Sequence, residues 1–116
     1  MITCCVRYLI APGKLKEFEE YARRWTKLIP KFGGTHHGYF LPDDPAGLDG
    51  TFSFRGLGAA GPGDVAMALY SFPDAAAYNA YRRMSAEDDE CKAVTAFFDE
   101  TRCFTSYERT FLKQIK

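Results

Sequence analysis

The sequence predicts an α+β fold of the ferredoxin-like kind, a βαββαβ antiparallel sheet with its helices on one face. Three observations carry this expectation. Strand-like and helical stretches follow in the order strand, helix, strand, strand, helix pair, strand. Proline and glycine punctuate the joints. Strands 1, 3 and 4 carry apolar or aromatic side chains on both faces, so helices on one side leave the other side needing cover. A second copy of the same sheet is the simplest cover, and the expected assembly is a homodimeric α+β barrel closed around an inner cavity.

Strand 1 is Ile2 to Ile10, rich in strand formers and broken by Pro12-Gly13. Leu15, Phe18, Ala22, Trp25 and Ile29 then recur at three- and four-residue spacing, with Tyr21, Leu28 and Phe32 widening the stripe and charges filling the opposite face. Pro30 and Gly33-Gly34 end this helix, and Thr35 to Leu41 reads as strand 2. Asp43 to Gly63 carries six glycines and two prolines and reads as a long loop, with a small extra strand at Thr51 to Arg55. Val65 to Phe72 is strand 3. Pro73-Asp74 opens a helix in which Tyr78, Tyr81 and Met84 share a face. Ser85-Ala86-Glu87-Asp88 resembles a capping box and predicts a new helix start at Ser85, with Cys91, Val94, Phe97 and Phe98 as its buried stripe. Phe104 to Leu112 closes the chain as strand 4, with Phe104 and Leu112 on one face and Tyr107 and Phe111 on the other.

A length of 116 residues suits a single domain spanning 1–116. Fifteen basic and fifteen acidic residues cancel, leaving no field to hold a polyphosphate backbone, so nucleic acid is not an expected partner. No apolar run approaches the ~20 residues of a membrane span. The first residues start directly in a strand pattern without the features of a secretory leader, and the expected location is the cytoplasm. Cys4, Cys5, Cys91 and Cys103 fit no zinc-ligand spacing and read as four buried thiols. Aromatic residues at 16% exceed what one core of this size needs, which points to an interface or a ligand cavity.

RYLIAPGKLKEFEEYARRW, the Pro30 break, GGTHHGYF, and MALYSF followed by PDAAAY together resemble the NIPSNAP family over most of the chain. The resemblance implies the dimeric α+β barrel and brings no agreed enzymatic activity. The sequence departs from that pattern in strand 1, where Val6 stands at a position often held by Arg, and in strand 3, which reads VAMALY. Arg7 ahead of the PGK turn is similar to the start of antibiotic-biosynthesis monooxygenases, cofactor-free oxygenases of the same barrel.

GGTHHGYF raises the question of chemistry. A strand turns successive side chains to opposite faces, so His36 and His37 cannot share one metal ion, and no H-x-H or E-x-x-H spacing occurs. Neither a metal nor a cofactor is expected. Strict alternation groups His36, Gly38 and Phe40 on one face and Thr35, His37, Tyr39 and Leu41 on the other. Gly38 and Phe40 suit the side beneath a helix, so His37 and Tyr39 are expected to face the cavity. There they form either a candidate acid/base pair or an interface pair holding the dimer. Arg7 on a central strand needs a partner, Glu108 or a bound anion, and joins Tyr8, Tyr70 and Tyr107 as a candidate ligand contact. Gly56-Leu57-Gly58-Ala59-Ala60-Gly61 spells G-x-G-x-x-G, but a proline and a strand follow it instead of a helix, which excludes a dinucleotide site. Three functions fit these residues: binding of a small aromatic or lipid-like molecule, cofactor-independent oxygenation or isomerisation, and a dimerising interaction module.

Overall fold

The computed structural model describes residues 1–116. Its elements are β1 (Ile2–Ile10), α1 (Leu15–Lys31), β2 (Thr35–Phe40), β3 (Val65–Phe72), α2 (Ala75–Glu87), α3 (Asp89–Thr101) and β4 (Phe104–Leu112). The four strands form one antiparallel sheet in the order β2-β3-β1-β4, the ferredoxin-like α+β fold. No helix is long and apolar enough to cross a membrane.

Alternation along β1 sets the two faces. Cys4, Val6, Tyr8 and Ile10 are buried beneath the helices, where the Tyr8 ring meets Phe18 of α1 edge-on at 5.0 Å. Ala66, Ala68, Tyr70 and Phe72 of β3 complete this floor, and Phe72 stacks on Tyr81 of α2 at 4.9 Å. The alanines at 66 and 68 let the sheet lie close under the helices, while Phe18, Ile29 and Phe72, each nearly inaccessible, fill the centre.

Pro30, one position from the end of α1, has no N–H to give the Thr26 carbonyl, and the helix stops at Lys31. Gly33, at φ +87°, reverses the chain, and the amides of Phe32, Gly33 and Gly34 bond back to the carbonyls of Ile29 and Pro30. A side chain at Gly34 would stand 2.7 Å from Ile29 Cγ2 and 2.8 Å from Phe72 Cζ, so glycine is what allows β2 to enter the sheet against the helix end.

The helix pair corrects two expectations. Ser85 does not start a helix: it lies inside α2, buried, its hydroxyl donating to the Arg82 carbonyl. The cap of α3 is Asp88, whose Oδ2 accepts the Cys91 amide at 3.0 Å, while Lys31 Nζ reaches Asp88 at 2.6 Å and Glu90 at 2.8 Å. A carboxylate accepts a helix-end amide better than a hydroxyl does and also meets the dipole. With α2 running on past Ser85, Met84 turns outward.

Residues 43–63 form neither helix nor strand and are exposed throughout. The extra strand expected at Thr51 to Arg55 is absent. That segment bends into a turn closed by the Leu57 amide on the Phe54 carbonyl, since it meets no sheet edge with which to pair.

Candidate functional site

A β-bulge in β2 decides which side chains meet. His36 pairs with Tyr70 and Gly38 with Leu69, leaving His37 as the extra residue. Gly38 adopts φ +126°, a conformation open to glycine, and its amide donates to His36 Nδ1 at 2.9 Å. The bulge reverses the alternation, so His36 and Tyr39 share the helix face and stack with centroids 5.1 Å apart. His37 keeps the face away from the helices that alternation gave it, but Tyr39, expected beside it, lies on the helix face instead. The His37 Nε2 lies 2.7 Å from Ser71 Oγ on the opposite face. Gly38 and Phe40 likewise lie away from the helices, and Phe40 is 55% exposed. The signal for this arrangement was Gly38 itself, a glycine inside a strand.

A second bulge, in β4, acts the same way. Ile10 pairs with Phe104 and Leu9 with Ser106, so Thr105 is supernumerary and Phe104 and Tyr107 fall on one face, 5.7 Å apart. Phe104 and Leu112, expected together, are separated: Leu112 pairs beside Thr3 on the far side. No glycine marks this bulge.

These shifts gather aromatic rings around a cavity of about 550 Å³ between the helix layer and the sheet. Val6 and Tyr8 of β1, Tyr39 of β2, Tyr70 of β3 and Phe104 and Tyr107 of β4 line the sheet side. Tyr21, Trp25 and Ile29 of α1, Tyr81 of α2 and Phe98 of α3 line the helix side. Thr95, Thr105, Ser106, Arg82 and Arg109 supply its polar groups. Three of the four expected ligand contacts, Tyr8, Tyr70 and Tyr107, thus come together. This cavity is formed within one chain, beneath its own helices. It opens beside the edge strand β4, and no residue of 43–63 lines it; that loop joins β2 to β3 at the other side of the sheet.

Burial keeps the cavity phenols protonated. Burial pushes the Tyr8 and Tyr81 phenols up to about 12 and lifts those of Tyr21, Tyr39 and Tyr70 well above the usual phenol range. All five are neutral at physiological pH and act through hydrogen bonds, as the Tyr8 and Tyr39 hydroxyls do with each other at 3.3 Å. No carboxylate, thiol or imidazole lines the space. His36 stands behind Tyr39, its pKa lowered by burial and then by His37. With Nδ1 accepting the Gly38 amide, the neutral ring carries its proton on Nε2, which is buried without a partner. Trp25 lines the cavity, while its Nε1, itself closed off from that space, lies against the Tyr21 phenol. No group of three His, Cys, Asp or Glu side chains is placed to hold a metal ion.

The other sheet face is bare of helices. Arg7 lies here, 3.4 Å from Glu108 across β1 and β4, and with Tyr8 and Tyr107 it lines a smaller hollow of about 320 Å³ instead of the aromatic cavity. His37, Ser71 and Thr3 link three strands through successive contacts of 2.7 Å and 2.8 Å. Leu9, Val65, Met67 and Leu69 are half-buried along the same face. All four cysteines are free; Cys4, Cys91 and Cys103 are buried, and Cys5, on the bare face, is half-buried.

Residues 5–116 match the family model NIPSNAP. No curated protein matches the chain at a significant level. Among solved structures, a NIPSNAP family protein from Agrobacterium tumefaciens superposes with a TM-score of 0.73 at 19% identity, covering 98% of this chain and 85% of that one. An uncharacterized NIPSNAP domain protein from Burkholderia xenovorans gives 0.71 at 18% identity, covering 99% and 95%. A protein from Nitrosomonas europaea, provisionally assigned as an antibiotic biosynthesis monooxygenase, gives 0.65 at 8% identity and covers 100% of both chains. At these identities the structural likeness establishes the fold.

Proposed function

We propose, for a chain that belongs to the NIPSNAP family on its match over residues 5–116, that the protein binds a small aromatic or lipid-like molecule in the cavity between its helices and sheet. The cavity itself carries this reading. Protein interiors pack to the density of organic crystals, and about 550 Å³ left open among phenol, indole and phenyl rings lies in the usual range of small-molecule sites. A filled core would have favoured a pure interaction module.

The fold shared with the Nitrosomonas protein supports a second reading as a cofactor-independent oxygenase. That chemistry calls for a base at the substrate, and the phenols on the wall are held protonated by burial, with His36 one ring behind them. Binding is therefore the reading we favour.

The bare sheet face, with Phe40 exposed beside Met67 and Leu112 exposed on β4, is the surface we assign to a second copy of the chain. Arg7 and Glu108, adjacent on that face, offer a two-fold-related copy the same two charges in return. The four free thiols support a reducing compartment, the cytoplasm.

Trp25 is the single tryptophan and lines the cavity, so its emission reports occupancy directly. Titration with the neutral 2-naphthol is expected to quench it saturably. Thr95→Phe, which fills the cavity from an exposed helix position, is expected to abolish the effect while leaving the circular dichroism spectrum unchanged. Quenching that stays linear in the wild type, or that is identical in the variant, overturns the reading.

A further inference from the structure

The cavity is apolar over most of its wall, yet two guanidiniums stand on it. Arg82 comes from α2 and Arg109 from β4, where it lies opposite Val6 and so on the helix face. The ion pairs of the fold use Arg7, Arg23, Arg24 and Lys31, and neither Arg82 nor Arg109 meets a carboxylate. The chain has as many acidic as basic residues, so this lack is local. Arg109 has only the Phe111 ring beneath it, at 5.9 Å. Both side chains are exposed at the rim of the same cavity, and both guanidiniums oppose the upward pull of burial on the pKa of the Cys4 thiol.

Two like charges beside one apolar opening repel each other, and the low-dielectric wall strengthens the field they create. An anion between them relieves that repulsion. Guanidinium forks match a carboxylate in shape and charge, and the neutral phenols offer further donors without competing negative charge.

We propose that Arg82 and Arg109 form an anion-selective mouth, so that the ligand is an organic carboxylate with its apolar body among the tyrosines and its head between the two guanidiniums. This rests on the cavity-binding reading and specifies its ligand class.

The test compares acids with the matching alcohols, using Trp25 emission of the full chain. Dodecanoate is set against 1-dodecanol, and 5-phenylpentanoate against 5-phenylpentanol, all below the concentrations at which they aggregate. The acids are expected to bind about tenfold more tightly than the alcohols, as suits charge-assisted hydrogen bonds. Arg82→Gln and Arg109→Gln should each reduce acid affinity severalfold, and the double variant should erase the preference while alcohol affinity stays constant. Added salt should weaken the acids alone. Whichever acid binds more tightly identifies a lipid or an aromatic body. Equal affinity for acid and alcohol, or a preference that survives in the double variant, overturns the anion mouth and leaves cavity binding intact. Absence of any saturable change with all four compounds overturns both.

Discussion

The imidazole of His36 stacks on the ring of Tyr39, three residues further along the same strand, with centroids 5.1 Å apart and planes 20° from parallel. In a regular strand these side chains would point to opposite faces. The bulge at His37 and the positive φ of Gly38 bring them together.

This placement sets a pH dependence. The His36 pKa is lowered in the folded protein, so the unfolded chain binds a proton first as pH falls through the ordinary histidine range. Stability should decline as pH drops below about 6.5 and level off below the folded pKa. Protonation also removes the Nδ1 acceptor from the Gly38 amide. Denaturation midpoints measured between pH 8 and 5 should fall less steeply in His36→Gln than in the wild type. An equal slope in both would show that His36 does not carry the effect.

His37 and Met67 serve the bare face. Sedimentation at micromolar concentration should find the wild type associated, and Met67→Glu, which sets a charge on that face, should yield a folded monomer. His37→Ala, losing its contact with Ser71, should weaken association while leaving Trp25 quenching by ligand unchanged. A monomeric wild type would remove the self-association reading.

The α2 to α3 joint offers a contrast of two caps. Asp88→Ala removes the acceptor of the Cys91 amide and should lower the thermal midpoint by roughly 5 °C. Ser85→Ala should change it by far less, because Ser85 caps no helix. The reverse ranking in a thermal melt would restore the start at Ser85.

Gly34→Ala places a methyl carbon within 3 Å of both Ile29 and Phe72 and should cost about 1–3 kcal/mol in urea denaturation. Gly61→Ala, with open space around it, is the control and should be close to neutral.

Residues 43–63, exposed and without regular structure, should exchange their amides faster than any other internal segment. Protection of this loop comparable to β1 would contradict that. Ligand binding should leave its exchange unaltered, since none of its residues lines the cavity.

The sequence by itself determined the order of elements, the buried stripe of α1 and the sheet with one face under helices, because these follow from residue periodicity and from proline and glycine at the joints. It also singled out Tyr8, Tyr70 and Tyr107, which share the cavity wall, and the pairing of Arg7 with Glu108. Tertiary structure decided the rest of the site. His36 and His37 keep the opposite faces that alternation gave them, but the faces of Gly38, Tyr39 and Phe40 and the meeting of Phe104 with Tyr107 depend on two bulges, since one extra residue inverts every position beyond it. Arg82 and Arg109 lie 27 positions apart in the numbering, on a helix and an edge strand, with no local pattern to connect them. The cavity they border lies beneath the helices of one chain because the rings of α1, α2, α3 and the sheet meet around it without filling it, an outcome of three-dimensional packing that periodicity along the chain does not encode.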